Sequence, residues 1–384
     1  MIRELSVRED LLDANLLSRW QTLTTGSNNI SVMYQSPEWI AHLVSGTESN
    51  TNIRLLEGTH ESRTVMAASL KGRVDMSLSV GRFLTLHNKL QADRVLGNGF
   101  LGAEEDAEAQ QSLLVALFTC GANAIHFRML PLESSLFKTV TEMTRTRQDV
   151  GLFVLNPSTI RHSIDLPPTF ENYLNSQFDS KSRYNLHRQI RLISEKTGQP
   201  LTLRCFKSEA DVAPFLTDAS PIASKSWESG VCDETLDGSN RWRIEFEALA
   251  CRGLFRSYIL YMGETPVAFV VGILYRDVFH FDNTAYDQQW RAYSPGIVLL
   301  YLLIQDLITS QIGLKRVSFG YGDHGYKRTF SNRHIPTAEL LLYWKTPVNT
   351  LRIALYKGFQ RCVAWAKNIK RKTVRRGSMV PAQA

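Results

Sequence analysis

The stretch of sequence from Asp277 to Phe330, DVFHFDNTAYDQQWRAYSPGIVLLYLLIQDLITSQIGLKRVSFGYGDHGYKRTF, decides the fold. Its composition predicts a strand over Val278–Ala285, a buried helix over Ile297–Ile308 and a short strand over Arg316–Phe319. A glycine-punctuated loop that contains titratable side chains follows, from Gly320 to Lys327. The order strand, turn, helix, strand and polar loop is the framework on which we place the rest of the chain.

The turn before the predicted helix has the sequence Tyr293-Ser294-Pro295-Gly296. Ser294 is a candidate N-cap, and Pro295 suits the first helical position, where its missing N–H costs nothing. A helix that starts after a strand offers free N–H groups and the positive end of its dipole, which together favour a phosphate. The small Ser294 and Gly296 leave room for such a ligand. An ordinary strand-to-helix turn has the same pattern, so the turn alone leaves both interpretations open.

Several short motifs occur in a defined order along the chain. The opening stretch contains Ser294-Pro295-Gly296, Gly322-Asp323, Tyr326-Lys327 and Phe330. Upstream lie Gln35-Ser36-Pro37-Glu38-Trp39 and the basic set Lys181, Arg183, Arg188 and Arg191. In this order they resemble the GNAT-type acyltransferases of the CelD-like group, which is associated with cellulose and exopolysaccharide biosynthesis and is related to the Fem-type aminoacyltransferases. The resemblance extends over most of the chain, from about Trp20 to about Trp344.

The resemblance implies a donor site at the turn. It implies that the pyrophosphate of an acyl-CoA binds at Tyr293, Ser294, Pro295 and Gly296, with the predicted strand Val278–Ala285 beside the pantetheine. Many GNAT proteins have more glycine and arginine at this turn, whereas only Arg291 and Gly296 are present here. We therefore expect acetyl-CoA or another acyl-CoA as co-substrate and no metal.

The chain is predicted to have an α/β (α+β) fold with two tandem GNAT-like units, each a mixed, largely antiparallel sheet flanked by helices. Both halves show helices, antiparallel strands, a helix and a strand, with the boundary in the polar stretch Asn156–Pro168. The expected divisions are residues 1–160, 161–346 and a basic tail over 347–384. A helix is predicted over Met1–Leu23. The glycine-rich turn of the first unit precedes Glu104, Glu105 and Asp106, which would repel a phosphate, so we place the donor in the second unit.

Composition indicates a soluble protein of a reducing compartment. Hydrophobic residues make up 43% and charged residues 21% of the 384, which is ordinary for a globular protein. No apolar run reaches the ~20 residues that cross a bilayer, and the first residues do not form a secretory signal. The five cysteines include no close pair, which favours free thiols. We therefore expect a cytoplasmic protein, with a position at the inner membrane surface as an open possibility.

Three side chains of the glycine-punctuated loop are candidate catalytic groups. Asp323 is the first candidate for the general base, although a carboxylate needs a pKa raised by burial for that role; it could equally cap its own turn. His324 is the second candidate because imidazole titrates near neutral pH. The resemblance implies that Tyr326 is the general acid that protonates the departing sulfur. Tyr326 could also be a half-buried core residue.

The candidate substrate-binding residues lie at two places. On a predicted helix over Ser180–Lys196, basic residues three or four positions apart lie on the same side of the helix. They could bind an anionic substrate or simply face solvent. Asp282 on the predicted strand could face the cleft, and Lys327 could bind substrate or phosphate, or pair with an acid. The helical candidates are Lys181, Arg183, Arg188 and Arg191.

The basic tail gives the chain its net charge of +7. The segment Leu351–Lys372 is predicted to be an amphipathic basic helix that docks on the protein or lies on an anionic membrane surface. No motif for nucleic-acid recognition accompanies it, so no nucleic-acid partner is expected.

The sequence therefore predicts an enzyme, an N- or O-acyltransferase with a small-molecule or sugar acceptor. Two alternatives stay open: a Fem-like aminoacyltransferase that uses charged tRNA, and a non-catalytic membrane-associated binding protein on the same fold.

Overall fold

The computed structural model describes residues 2–5, 13–45, 52–80, 84–226 and 236–377. The strands within these residues are β1 (Ile2–Leu5), β2 (Ile53–His60), β3 (Arg63–Asp75), β4 (Leu78–Val80), β5 (Leu84–Leu86), β6 (Lys89–Val95), β7 (Ala124–Pro131), β8 (Val150–Asp165), β9 (Leu201–Phe206), β10 (Ser257–Met262), β11 (Thr265–Tyr275), β12 (Val278–Tyr286), β13 (Arg316–Ser318) and β14 (Arg333–Trp344). The helices are α1 (Ala14–Gly26), α2 (Pro37–Ser45), α3 (Ala107–Thr119), α4 (Ser135–Thr146), α5 (Phe170–Gln177), α6 (Ser180–Thr197), α7 (Glu209–Ser224), α8 (Asn240–Ala250), α9 (Pro295–Thr309), α10 (Gly325–Phe330) and α11 (Pro347–Gly377).

The chain divides into two compact units. Unit 1 comprises Met1–Arg19, Thr51–Pro157 and Ala338–Ala384, and unit 2 comprises Trp20–Asn50 and Ser158–Thr337. The strands β8 and β14 contribute residues to both. The predicted contiguous divisions 1–160 and 161–346 therefore differ from these units mainly in residues 20–50, which belong to unit 2, and in residues 338–346, which belong to unit 1 together with the tail.

Unit 1 has a mixed, mainly antiparallel sheet. Its strands follow the order β1-β2-β3-β6-β7, and then the unit 1 parts of β14 and β8. The first three pairs are antiparallel, and the pair β6–β7 is parallel. The helix α3 connects the two parallel strands and packs its apolar residues, including Leu113 and Leu117, into the core of the unit.

Unit 2 repeats this plan. From the unit 2 parts of β14 and β8 the order continues β13-β12-β11-β10-β9. The pair β12–β13 is parallel, and the pairs β9–β10, β10–β11, β11–β12 and β13–β8 are antiparallel. The apolar helix α9 connects the parallel pair and packs on Phe279, Phe281 and Val317 in the buried core of the unit. The predicted α/β (α+β) class is confirmed, with one mixed sheet and flanking helices in each unit.

The segment from Trp20 to Asn50 belongs to unit 2 because of contacts made across a long stretch of chain. The Trp20 indole donates to the carbonyl of Gln35 (2.7 Å) and is fully buried. Arg276 donates to the carbonyls of Thr24 and Thr25 (2.6 and 2.8 Å). Because Arg276 is about 250 positions from Thr24 and Thr25, local sequence pattern gives no sign of these contacts.

Local predictions in two other regions need correction. The start of the chain, predicted as part of a helix over Met1–Leu23, contains the strand β1, and the helix α1 begins only at Ala14. The polar stretch Asn156–Pro168, predicted as a boundary, lies largely within β8. In contrast, the helix predicted over Ser180–Lys196 is α6, which ends at Gly198 with a left-handed φ of 63°.

The predicted C-terminal helix is longer than expected. The helix α11 covers Pro347–Gly377, and Ile353 on one side is buried against unit 1 while Tyr356 contacts Phe153 (ring centroids 5.8 Å apart). Within the residues that the structure describes, none of the helices combines the length and the apolar character that crossing a bilayer requires.

Candidate active site

The start of α9 is built by a short sequence of turns. After β12 the chain forms a 3₁₀ turn over Gln288–Tyr293, whose first N–H groups are capped by the Asp287 carboxylate (3.0 Å to the Gln289 N–H). Pro295 is buried at the first position of α9, as predicted. The helix therefore starts where proline is best tolerated.

Ser294 differs from the prediction in its conformation. It occupies the N-cap position of α9, but its hydroxyl makes no capping hydrogen bond, and its backbone is left-handed with φ 52° and ψ 51°. A residue other than glycine pays ~1–2 kcal/mol for this conformation. Its carbonyl accepts the N–H groups of Ile297 and Val298 (3.0 and 3.3 Å), so Gly296 N–H is a donor at the helix start without a backbone partner among the described residues. Strained residues of this kind cluster at ligand-binding sites.

A pocket of about 470 Å³ opens at this helix start, within unit 2. This volume is in the range of small-molecule sites. Its lining comes mainly from the end of β12, the start of α9 and the start of α10, and the apolar part of the lining includes Leu299 and Leu300. The polar or small lining residues are Ser226, Thr284, Ala285, Tyr286, Arg291, Ser294, Gly296, His324, Gly325 and Tyr326.

The predicted donor-binding residues divide into two groups. Arg291, Ser294 and Gly296 line the pocket, so its lining includes residues that carry a cation, a hydroxyl and a backbone N–H. Pro295 is buried and shapes the turn, whereas Tyr293 packs against the core beside Trp290 (ring centroids 6.0 Å apart) and is not among the lining residues. The end of the helix is therefore open, and three of the five predicted residues face the cavity.

The glycine-punctuated loop ends in a helix that was not predicted. The short helix α10 begins at Gly325, so Tyr326 and Lys327 lie on its first turn and project in different directions. Tyr326 lines the pocket and contacts Phe281 and Phe319 (ring centroids 6.1 and 6.3 Å apart). The exposed His324 stacks on Tyr326 with an interplanar angle of 11° and also lines the pocket. Two of the three predicted catalytic side chains therefore lie together at the pocket.

Lys327 does not reach the pocket as a ligand for substrate. It is 5% exposed, and its ammonium donates to the carbonyls of Phe319 (2.6 Å) and Tyr321 (2.5 Å). Gly320 and Gly322 have φ of 62° and 94°, which only glycine adopts without strain. Burial lowers the pKa of Lys327 to about 8. The side chain therefore holds the loop in place, which corrects the predicted role in substrate or phosphate binding.

Asp323 lies outside the set of pocket-lining residues. His162 Nε2 lies 2.8 Å from its carboxylate and Arg328 lies 3.2 Å away. The hydrogen bond with His162, together with Arg328, holds the pKa of Asp323 below its usual range. A general base needs a raised pKa, and the pKa of Asp323 is lowered instead, so Asp323 lacks the raised pKa that this role requires.

His162 connects this loop to the sheet, and sequence reasoning missed it. The ring is fully buried on β8, where its Nδ1 lies 3.1 Å from the hydroxyl of Ser331 and 3.0 Å from Nδ1 of His334. Burial lowers its pKa, opposed by Asp323. The alternation Ile160-x-His162-x-Ile164 is the strand pattern that could have revealed it.

The two parallel strands part beside the pocket. The register of β12 with β13 extends only from Val278 to His280, whereas β12 continues to pair with β11 as far as Tyr286. The register with β11 shifts between Phe281 and Asn283, so Asp282 is the extra residue of a bulge. Asp282 is exposed at this bulge, and it raises the pKa of Lys327 against the effect of burial. The pocket-lining set includes Phe281 but not Asp282.

The basic residues of α6 are not brought into the pocket. Lys181, Arg188 and Arg191 are exposed, and Arg191 faces Glu195 at 3.4 Å on the same helix. Arg183 instead ties α6 to the end of α5 through Asn175 Oδ1 (2.6 Å) and the carbonyl of Phe178 (3.3 Å). None of the four lines the pocket within the described part of the chain. Their arrangement matches the solvent-facing interpretation.

The corresponding helix start in unit 1 is occupied by a carboxylate. Asp106 caps α3 by accepting the N–H of Ala109 (3.0 Å), and it also pairs with Arg63 (2.9 Å) and His60 (3.1 Å). These bonds hold the pKa of Asp106 below its usual range. An anion would be repelled there, which agrees with the placement of the donor site in unit 2.

Part of the chain is similar to a known protein family. Residues 180–328 match the family model of the acetyltransferase (GNAT) domain. The matched segment contains β12, α9, β13 and the start of α10, and thus every wall of the pocket. A comparison with curated protein sequences finds no significant match.

Two solved structures show the same overall fold. FemX has a TM-score of 0.60 with 10% identity, covering 91% of this chain and 99% of its own. The C-terminal domain of a candidate lysylphosphatidylglycerol synthetase from Agrobacterium fabrum has a TM-score of 0.52 with 12% identity, covering 91% of this chain and 96% of its own. At these identities the similarity concerns the fold alone.

Proposed function

We propose that this protein is an acyltransferase that moves an acetyl or other acyl group from a CoA thioester to an amine or hydroxyl of a polar acceptor. The observation that supports this most is the open pocket at the start of α9, whose lining includes both groups suited to a phosphate (Arg291, Ser294 and Gly296) and the side chains of Tyr326 and His324. The match of residues 180–328 to the acetyltransferase (GNAT) domain supports the same chemistry.

The donor would bind along the end of β12. Gly296 N–H, the Ser294 hydroxyl and Arg291 would hold the pyrophosphate, because a helix start and an arginine both favour anions. The pantetheine would lie against the β12 residues that line the pocket, Thr284–Tyr286. Its thioester would then reach the place where β12 and β13 part, beside Phe281 and Tyr326.

The reaction requires two proton transfers and no covalent enzyme intermediate. The acceptor nitrogen or oxygen forms a bond to the thioester carbonyl carbon, and the carbon–sulfur bond breaks. His324 would accept the proton of the acceptor, and the Tyr326 hydroxyl would donate a proton to the departing thiolate. Both side chains line the pocket and stack on each other, so we assign the base to His324 rather than to Asp323.

Lys327 and Asp323 would act through position rather than through contact with substrate. Lys327 fixes the carbonyls of the loop that precedes α10. Asp323 ties the same loop to His162 on β8. Since proximity and orientation supply much of the rate of such a bimolecular transfer, a rigid loop is the main contribution that we assign to these residues.

The acceptor and the setting belong to the same proposal. The resemblance of the motif order to the CelD-like group suggests an amino sugar or related polar acceptor of surface-polysaccharide assembly, handled in the cytoplasm. A Fem-like transfer from charged tRNA is the rival, favoured by the similarity in fold to FemX.

The test is calorimetric titration with CoA and acetyl-CoA, followed by release of free thiol from acetyl-CoA with a panel of amines and amino sugars. The proposal predicts saturable binding and acceptor-dependent thiol release. Transfer from aminoacyl-tRNA without CoA binding would favour the Fem-like alternative. Silence with every donor would favour a non-catalytic role on this fold.

A further inference from the structure

Arg161 lies on the face of the sheet opposite to the α9 pocket. Its strand β8 pairs with β13 so that Ser163 is opposite Ser318. Ile164 packs in the core beneath α9, and side chains alternate along a strand, so Arg161 and Ser163 face the other way. The Arg161 side chain is nevertheless buried there, with 7% exposure.

This buried cation has no counter-ion in the described part of the chain. Its Nε has no hydrogen-bond partner, and no ion pair joins its guanidinium to a described carboxylate. The charged groups near it are Arg316 and Arg333. Burial, and to a smaller extent these two arginines, lower the pKa of Arg161 to about 10. Arg333 already pairs with Asp165 at 3.0 Å, and Arg316 lies 3.8 Å from Asp277.

A buried charge without a partner is costly, and it persists where a ligand of opposite charge completes it. Three arginines with only two nearby carboxylates leave an excess of positive charge at one point of the sheet. The guanidinium fork suits a phosphate or a carboxylate, which it can bind through two parallel hydrogen bonds. The local chemistry therefore fits an anion.

The register of the strands places this site beside the gap between β12 and β13. Ser318 pairs with Ser163 on one side and with His280 on the other. The paired part of β13 ends at Ser318, and Arg161 lies two positions beyond Ser163 on β8, at the level where β12 and β13 have already parted. An acceptor on the Arg161 face would approach the thioester through this gap, from the side opposite to the donor.

We propose that Arg161 binds the anionic group, a phosphate or a carboxylate, of the acyl acceptor. The anion site stands on the geometry of Arg161 alone, and only its role for the acceptor rests on the proposed transferase function. The acceptor would then be a polar molecule that bears both a nucleophile and a negative charge.

The test compares Arg161→Met with Arg256→Met in thermal unfolding. Arg256 is equally buried, at 8% exposure, but it is paired with Tyr258 (2.6 Å) and Asp306 (3.2 Å). Without added anion, we expect Arg161→Met to unfold at the same or a higher temperature than the natural protein and Arg256→Met to unfold at a lower one. The unfolding temperature of the natural protein should rise with the logarithm of the concentration of phosphate, pyrophosphate or succinate at constant ionic strength. Arg161→Met should lose the rise with succinate, and with phosphate and pyrophosphate it should keep only the part that binding at the start of α9 supplies. The three anions distinguish a phosphate site from a carboxylate site.

Three results would overturn the proposal. They are a loss of stability in Arg161→Met comparable to that of Arg256→Met, an equal anion-dependent rise in both proteins, and no rise in the natural protein. Calorimetry with CoA on the natural protein and on Arg161→Met separates the two claims. An Arg161-dependent anion effect in a natural protein that does not bind CoA would leave the anion site standing and remove the CoA-dependent transferase function.

A second surface is independent of the first. The helix α11 buries Ile353 on one side, but it exposes a row of large apolar side chains on another. Their spacing of three, four and ten residues keeps them within one face of the helix. They are Val348, Leu351, Leu355 and Trp365, with exposed fractions of 57%, 60%, 47% and 68%.

The charge of α11 identifies the kind of surface that would cover this row. The segment from Pro347 to Gly377 contains nine basic residues and no acid, while the whole chain has a net charge of +7, so the remainder has a charge of −2. Exposed apolar side chains beside basic ones are typical of helices that lie in the plane of an anionic membrane. We also propose that α11 attaches the protein to an anionic lipid bilayer without crossing it.

The test is co-sedimentation with vesicles of phosphatidylcholine alone or mixed with phosphatidylglycerol. We expect binding to the mixed vesicles only, and weakening by salt. The double substitution Leu351→Ser with Leu355→Ser should abolish binding, whereas Val154→Ser, at another exposed apolar residue of unit 1 with 39% exposure, should leave it unchanged. Arg361→Gln should weaken binding about fivefold, from ~1 kcal/mol per basic residue near the surface. Equal binding to both vesicles, no binding, or a stable dimer that hides the row would overturn the proposal.

Discussion

Replacement of Gly296 by alanine separates the stability of α9 from its ability to bind a phosphate. Gly296 lies in the first turn of α9 and lines the pocket. A Cβ added there would lie 3.6 Å from Cδ1 of Tyr286, which is ordinary van der Waals contact. The variant should therefore fold without displacement of its neighbours. Its methyl group would nevertheless stand where a phosphate approaches the N–H of residue 296.

The two effects of this substitution have opposite signs. Alanine in place of helical glycine stabilises by ~0.5–1 kcal/mol, which raises the unfolding temperature by about 1–4 °C for a unit of this size. Loss of one hydrogen bond to a charged phosphate weakens CoA binding by ~1.5–3 kcal/mol, or about 10–150-fold in Kd. A more stable protein that binds CoA less tightly is the expected result.

The assays are thermal unfolding and calorimetric titration with CoA. Gly358→Ala on α11 is the matched control, because a Cβ at Gly358 meets nothing within 4 Å and the residue lies in unit 1. The control should gain comparable stability and keep the CoA affinity of the natural protein. Unchanged CoA affinity in Gly296→Ala would refute the idea that this helix start holds the phosphates, and a lowered unfolding temperature would refute the described geometry of the turn.

The remaining predictions concern the loop around α10. Tyr326→Phe and His324→Gln should each lower kcat by about 10²–10⁴-fold in the thiol-release assay, with the Kd of CoA in calorimetry unchanged within about threefold. Asp323→Asn should lower kcat by about tenfold or less if Asp323 only positions the loop, whereas a loss of about 10²–10⁴-fold would return it to the role of general base. Lys327 has a pKa of about 8 when folded and 10.5 as its ordinary value, so the unfolded state binds more protons between these pH values and stability rises with pH there. The difference in the free energy of unfolding between the natural protein and Lys327→Met, measured in urea, should therefore increase by up to ~3 kcal/mol from pH 8 to pH 10.5. A difference that does not change across that range would mean that the lysine is charged throughout.

The strand, turn and helix of the opening stretch could be predicted because their signals are local. Proline at the first helical position and an apolar run of helical length are properties of neighbouring residues, and α9 starts at Pro295 as expected. The capping role of Ser294 could not be predicted, because its left-handed backbone depends on the 3₁₀ turn that precedes it. The short helix α10 was missed because glycines at 320, 322 and 325 favour a loop on sequence grounds.

The roles of the loop residues depended on partners far away in sequence. Asp323 was predicted as a base because its neighbours are glycines, but His162, 161 positions earlier, accounts for its lowered pKa. Lys327 was predicted to bind substrate or phosphate or to pair with an acid, but its ammonium donates to the loop carbonyls, which local sequence does not reveal. Arg161 was missed because the polar stretch around it was interpreted as a boundary, although it forms part of β8.

A crystal structure of the protein with CoA is the most direct test of the central claim, that the start of α9 holds the phosphates of a thioester carrier. We predict the pyrophosphate within hydrogen-bond distance of the Gly296 N–H, near Arg291, and the sulfur beside Tyr326 between the parted strands β12 and β13. CoA bound elsewhere, or a saturated crystal with the pocket at α9 free of CoA, would contradict the account.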